Sequence, residues 1–500
     1  MEYPTSLNYT ASKSVIKYKR YNVRTSTANS GGSGSILRFR LPNGLINLSS
    51  FTLCFDLTVS GLDDNQATID ALTAQRTALQ AQLATLTTEL AGLEQGSAEH
   101  TAKQAEITAK NAEITAKTAE ITTAEQRRNY SNVKMPLGHK LIKEIRTFVN
   151  NQQVNAKCGD YDLFYTALYK VTVGDSYIKS KASEHGYEML SNDDVFGPIN
   201  PTSVDEGDTS KSVSYSISDF LGIFRSGSES IIDTSLWGHV DLEFTINEKY
   251  CLAQYVKGTG SNANIEMKVS NVEGFVDKIV EISPMYNKLV NMMLEKRKEP
   301  LIFCYQNFLS QINSNGKAAR LQCRSQCIDA VVCFPLHPNY LNTTATYNPI
   351  NRINPPRYEF NSNRFTDRFD TTTTKNCSLQ MTINNERFPD VPVNNALHIG
   401  EITRRGLFGG SVYSQSLMYN SLFQDVDDLL RENFVWFQSL CGGEEGYVNK
   451  LLTGYDTRGE TIDIIVDHDC IVSGGALFIG ALTTSCLSLD PVSKLMTVIE

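Results

Sequence analysis

Strict alternation is the feature that most constrains this chain. Phe51, Leu53, Phe55, Leu57 and Val59 are interleaved with Thr52, Cys54, Asp56 and Thr58, and a period of two puts every apolar side chain on one face of a half-buried β-strand. Val213, Tyr215 and Ile217 repeat the pattern, as do Val240, Leu242, Phe244 and Ile246, and then Ile265, Met267 and Val269. Gly, Asn, Ser and Pro clusters separate these runs where long helices would otherwise stand. That arrangement points to antiparallel sandwiches or barrels and away from a doubly wound α/β sheet.

A chain of 500 residues exceeds what one hydrophobic core organises, so two to four domains are expected. Hydrophobic residues at 41% and charged residues at 20% exclude bulk disorder. A formal charge of -9 argues against a dedicated nucleic-acid binder, which needs concentrated Lys and Arg. The N-terminus is the local exception: Lys13, Lys17, Lys19, Arg20 and Arg24 face a single acid, Glu2, and the segment runs into Ser30-Gly31-Gly32-Ser33-Gly34-Ser35. Residues 1–35 therefore read as a basic, flexible arm, either a solvated tail or a segment that touches neighbours, a membrane or a genome. No apolar run approaches the roughly 18 residues that span a bilayer, and the N-terminus lacks the apolar core of a signal peptide. The chain is expected to be made and kept in a reducing compartment, its eleven cysteines mostly buried free thiols.

One segment is foreign to this β pattern. From residue 67 to 126 the composition narrows to Ala, Thr, Leu, Ile, Glu, Gln and Lys. Ile69, Leu72, Arg76, Leu79, Leu83, Leu86, Leu90 and Leu93 are spaced alternately three and four apart, and a repeated AEITAK unit brings round Ile107, Ile114 and Ile121 every seven residues. These are heptad patterns, and Gly92 and Gly96 between them predict a helical hairpin with coiled-coil packing, inserted in a strand-to-strand loop. Its arms pack either on each other or in a bundle shared between subunits. Two shorter helices are also predicted. One starts at Ser283-Pro284, a good cap and first-turn pair, and places Met285, Leu289, Met292 and Met293 on one face; the other runs through Val426, Leu429, Leu430, Phe434 and Phe437 to Gly442-Gly443.

A faint internal repeat relates the two halves. Arg146-Thr147-Phe148-Val149-Asn150-Asn151-Gln152 resembles Gln380-Met381-Thr382-Ile383-Asn384-Asn385-Glu386: a strand, then an Asn-Asn pair suited to a tight turn because Asn tolerates positive φ. With two β-rich stretches, the reading is an all-β protein of two tandem eight-stranded jelly rolls. The expected boundaries are 1–35 for the arm, 36–262 for the first roll with 67–126 inserted, and 263–500 for the second.

In this layout Leu41-Pro42-Asn43-Gly44 precedes Leu48-Ser49-Ser50-Phe51, Ile231 to Gly238 leads into the strand Val240 to Ile246, and a strand and helix follow one another from Ile279 to Leu294. The combination resembles the double jelly-roll major capsid proteins of the tectivirus and adenovirus lineage, most of all those of polinton-like viruses and virophages. The resemblance spreads over nearly the whole chain on short motifs, and the hairpin departs from the basic pattern. It implies a virion protein with no enzymatic activity. Three chains would close into a pseudo-hexagonal capsomer that tiles an icosahedral shell, with the hairpin as an outer tower. The partners it implies are the chain itself as a homotrimer, neighbouring capsomers, penton and minor capsid proteins, and an internal membrane or genome through the basic arm.

Enzyme chemistry finds little support. A metal-dependent bicupin would share the double-barrel outline but needs converging imidazoles, and His100, His139, His185, His239, His337, His398 and His468 stand apart, with no His-x-His. Cys323, Cys327, Cys333 and His337 imitate a zinc set, yet on a straight strand Cys323 and Cys327 would stand about 13 Å apart. Asp467-His468-Asp469-Cys470 reads as a polar turn between strands. Ser33-Gly34-Ser35 and Gly409-Gly410-Ser411 lack the strand-to-helix setting of a nucleophile elbow or phosphate loop. No catalytic, cofactor-binding or metal-binding residue is assigned. The competing non-enzymatic reading is a carbohydrate- or receptor-binding β-sandwich of a viral appendage.

Overall fold

The computed structural model describes residues 15–24, 31–32, 34–61, 66–126, 133–134, 138–155, 159–172, 210–224, 231–247, 253–254, 266–297, 300–314, 318–336, 379–393, 402–403, 435–440, 454–458, 461–468, 476–493 and 495–499. In the first half the strands are β1 (Val15–Arg24), β2 (Gly31–Gly32), β3 (Ile36–Arg40), β4 (Leu45–Ser60), β5 (Val133–Lys134), β6 (Ile142–Val149), β7 (Gln152–Gln153), β8 (Ser210–Ile217), β9 (Ile231–Asp233), β10 (Val240–Ile246), β11 (Ala253–Gln254) and β12 (Glu266–Ile282). The second half has β13 (Leu301–Ser314), β14 (Ala318–Cys323), β15 (Cys327–Leu336), β16 (Leu379–Ile383), β17 (Glu386–Val393), β18 (Trp436–Ser439), β19 (Tyr455–Asp456), β20 (Ile462–His468), β21 (Ala476–Leu489) and β22 (Met496–Ile499). Five helices bear on the argument: α1 (Gln66–Ala91), α2 (Ala98–Gln126), α3 (Tyr161–Thr172), α4 (Thr234–Trp237) and α5 (Pro284–Asn291).

Hydrogen bonding sorts the strands into two pairs of sheets with one plan. The first pair has the orders β1-β12-β4-β8 and β3-β10-β6-β7; the second has β13-β21-β15-β18 and β14-β20-β16-β17. Each strand of the first pair has a counterpart at the same sheet position in the second, down to the short β9 on β4 and β19 on β15. Apart from the β6-β7 and β16-β17 hairpins, most connections cross between the two sheets of a pair, which is the jelly-roll topology, present here twice. The Asn-Asn pairs are the turns expected: Asn150 and Asn151 (φ 48° and 66°) join β6 to β7, and Asn384 and Asn385 (φ 46° and 68°) join β16 to β17. Two successive residues at positive φ make a hairpin turn whose twist suits the flanking strands, and Asn adopts that region at small cost.

In the first roll the alternating side chains of β4 meet those of β3 and β10 across the sandwich. Phe51 stacks on Phe244 with centroids 5.7 Å apart and meets the edge of Phe39 at 5.9 Å, and Phe220 and Phe224 close the cluster. Gly274 on β12 leaves room for it, because a Cβ there would lie 3.1 Å from the Phe51 ring and 3.2 Å from that of Phe39. The second roll has its own core of Leu321, Ile328, Val331, Met381, Ile383, Trp436, Ile464, Val466 and Ile479.

Between the rolls the core is continuous. The ring of Phe164 on α3 lies between Phe308 of β13 (5.8 Å) and Phe478 of β21 (6.1 Å). Trp237 meets Phe303 at 6.3 Å, and the Tyr305 hydroxyl donates to the Val154 carbonyl. Every residue of β21 from Ala476 to Leu487 is buried, so both faces of that strand are covered.

Four expectations change. Lys17, Lys19, Arg20 and Arg24, read as a flexible arm, lie on β1, an edge strand paired with β12. The strand Glu266–Ile282, placed beyond the 262/263 boundary, pairs with β4 of the first roll, so the change of roll falls after it; Ile265 lies outside the described residues. Phe437, read as helical, sits buried in β18 next to the buried Trp436, because a continuous apolar run serves a doubly covered strand as well as a helix; residues 426–434 lie outside the described residues. In α5 the Ser283 cap and Pro284 are as expected, but Tyr286 and Val290 form its buried face, with Met293 buried in the turn that follows, and Met285 is exposed.

Gly480 on β21 is the tightest point of the junction, since a Cβ there would overlap the Phe164 ring. Gly480→Val should therefore lower stability by about 1–3 kcal/mol through overpacking, read as an earlier midpoint in urea unfolding. An unchanged midpoint would show that α3 does not hold the rolls together.

Candidate functional site

Among the described residues, those that could carry chemistry do not converge. His139 lies fully buried in the turn Gly138–Leu141, its ring stacked on Tyr165 at 3.6 Å and its Nδ1 3.0 Å from the Tyr161 hydroxyl. It fixes α3 on the first roll. His239 contacts Asn151 (2.9 Å) and Asp241 (3.7 Å). His100 begins α2, capped by the Ser97 hydroxyl at 3.1 Å. His468 ends β20, so Asp467 and His468 are strand residues and not a turn. His185, His337, His398, Asp469, Cys470, Ser33 and Gly409-Gly410-Ser411 lie outside the described residues.

The cysteine set is split by a turn that the straight-strand spacing did not allow for. Cys323 ends β14 in one sheet and Cys327 starts β15 in the other. Cys333 is buried in the second core, and burial pushes its thiol well above the ordinary range. Among the described residues no group of three or more His, Cys, Asp or Glu side chains could hold a metal ion.

Sequence reasoning missed Asp329. It falls in the apolar run of β15 and is fully buried, where its carboxylate accepts from Thr484 Oγ1 (2.7 Å) and the Cys327 thiol (3.5 Å). Desolvation dominates over these bonds and pushes its pKa up to about 7. The polar surroundings Ser325, Gln326 and Thr457 are also buried, so the site satisfies a strand irregularity between Ile328 and Ala330 and offers no entry to a substrate.

The surfaces are more informative. On the outer face of the sheet β3-β10-β6-β7, β10 supplies Asp241 and Glu243, β3 supplies Arg38 and Arg40, and β6 supplies both Glu144 and Arg146. Arg40 grips Asp241 with two bonds of 2.8 and 2.9 Å, Arg38 pairs with Glu243, and Arg146 grips Glu144. The Arg40 guanidinium holds the Asp241 carboxyl below the usual range. The three acids are buried beneath more exposed arginines, and the two pairs between β3 and β10 fix the register of those strands. At the edge of the other sheet, β1 presents Ile16, Tyr18 and Tyr21 beside its basic residues, and exposed Val280 and Met285 follow on the adjoining segments.

The helical insertion leaves the first roll between β4 and β6. Ser97 caps α2 after the turn at Gly96 (φ 91°), and Lys103 bridges to Glu89 across the helices at 2.9 Å. Every seven residues α2 repeats an internal ion pair: Lys103–Glu106, Lys110–Glu113 and Lys117–Glu120. Ile69, Ile121 and Ala124 are buried at the base, whereas Leu79, Leu83, Leu86, Leu90, Ile107 and Ile114 are half-exposed. Two helices share one seam and cannot cover both sides of it.

No protein-family model and no curated protein sequence matches this chain. Solved structures do. VP54 of PBCV-1, as fitted into a reconstruction of the virophage Sputnik, aligns with a TM-score of 0.51 at 9% identity, covering 97% of both chains. A chain of the PBCV-1 virus capsid aligns at 0.50 and 7% identity, again over 97% of both. The Faustovirus major capsid protein aligns at 0.51 and 9% identity, over 95% of this chain and 90% of that one. The fold is thus the double jelly roll of those proteins.

For Asp329 the sign of the pH dependence follows from its raised pKa. The folded state holds a proton that the unfolded state releases near pH 4, so stability falls as pH rises from about 4 to about 7 and then levels, by at most about 4 kcal/mol. Asp329→Asn should flatten that part of a stability-versus-pH profile measured by urea unfolding. A variant with the wild-type slope would refute the assignment.

Proposed function

We propose that this protein is a viral major capsid protein, a structural component of the virion with no catalytic role. The observation that supports it best is the duplicated jelly roll, aligned over nearly full length with capsid proteins of the same double fold. Two rolls fused through a shared core give one chain two similar lobes. Three such chains around a threefold axis present six lobes, so a homotrimer can occupy a hexagonal lattice position. Closed sandwiches leave few free strand edges, so contacts between trimers fall to loops and faces. Residues 15–297 and 300–499 are the two rolls in this reading.

The hairpin is the outer tower of the capsomer. Its half-covered seam fits packing against the same hairpin of neighbouring chains. The basic N-terminal segment would meet an internal membrane or the genome, a reading that the exposed Ile16, Tyr18 and Tyr21 of β1 support. Penton and minor capsid proteins are the further partners.

Light scattering on the purified full chain should give about three times the 55.6 kDa of one chain, and negative-stain images should show hexagonal outlines. Deleting residues 66–126 should keep the trimer and remove a projection from it. A stable monomer that binds glycans would overturn the capsid reading in favour of an appendage protein. Trimers with identical outlines before and after deletion would overturn the tower alone.

A further inference from the structure

Of the six described cysteines, two stand apart from the rest. Cys304 on β13 and Cys486 on β21 are direct partners in an antiparallel ladder that runs without a register shift from Leu301 and Leu489 to Ser314 and Ala476. Directly opposed residues in such a ladder have Cα atoms about 4.5–5.5 Å apart, inside the range that a disulfide spans. Their sulfurs already lie 2.9 Å apart, so a bond of about 2.05 Å needs less than about 1 Å of movement. We propose that Cys304 and Cys486 are an oxidation site, forming a reversible disulfide that staples the first strand of the second roll to its long central strand.

The oxidant must be small, because Cys304 is 9% exposed and Cys486 only 1%. A peroxide meets that requirement. Their hydrogen bond favours thiolate character at Cys304 and disfavours it at Cys486, and with Cys304 as the thiolate the Cys486 S–H is the donor. The Cys304 thiolate attacks one oxygen of hydrogen peroxide, the O–O bond breaks, and the departing hydroxide takes a proton to become water. The sulfur of Cys486 then attacks the resulting sulfenic acid, its proton leaves with the displaced hydroxide as a second water, and the S–S bond closes. Two thiols and one peroxide thus give one disulfide and two waters.

The ring so closed runs from residue 304 to residue 486 and encloses most of the second roll. Removing that loop's freedom from the unfolded chain stabilises the folded one. The chemistry depends only on the ladder and is independent of what the chain assembles into.

The test uses the full chain purified with reductant, then treated with hydrogen peroxide, alkylated and digested. The expected result is a peptide pair linked through Cys304 and Cys486, and a melting temperature roughly 5–10 °C higher, both reversed by dithiothreitol. Cys486→Ser should fold and lose the shift; should it fail to fold, the linkage map of the wild-type protein decides alone. Recovery of both cysteines as alkylated thiols, or of Cys304 as sulfinic acid, overturns the proposal. A linked protein with an unchanged melting temperature overturns its role as a staple.

Discussion

The strand β21 is covered on both faces, and the rest of the molecule is arranged around that fact. A strand with both faces buried can expose none of its side chains, so Ala476 to Leu487 carry small or apolar groups and a few hydroxyls, with Gly480 where the Phe164 ring comes closest. One sheet thereby contributes to two cores. The first roll cannot pivot on the second without opening apolar surface, and the two sandwiches behave as a single body.

That double burial also explains where the sequence is legible. The strand from Phe51 to Val59 has one face in the core and one in water, and its alternation is unmistakable. The Asn-Asn turns are equally plain, because few residues other than Gly sit comfortably at successive positive φ values, and they revealed the duplication. The heptads from residue 67 to 126 marked the helices within a residue or two. In β18 and β21, by contrast, no period of two survives, and a run such as that ending at Phe437 can be taken for a helix.

Charge misled in a different way. The lysines and arginines of β1 suggested a loose arm, yet basic side chains on an edge strand discourage unwanted pairing with another chain, and β1 is such a strand. Asp329 was hidden for the opposite reason: a carboxylate within an apolar strand looks like a solvent-facing position until the second covering layer is known. No residue pattern signalled a catalytic centre, and the polar clusters found at His139 and Asp329 serve to seat a helix and to satisfy an irregular strand. The inserted hairpin is an exterior feature, and exterior features follow from partners that a single sequence does not contain.

The seven-residue unit of α2 has a geometric corollary. Seven residues make close to two helical turns and advance the axis by about 10.5 Å, so each copy brings its isoleucine and its Lys–Glu pair back to nearly the same azimuth. Gaining or losing one copy, matched by seven residues in the opposing arm, would change the reach of the insertion in fixed steps while leaving its root at Ile69 and Ile121 untouched. Length in this region can drift between generations as a counted quantity, independently of the sandwich that carries it.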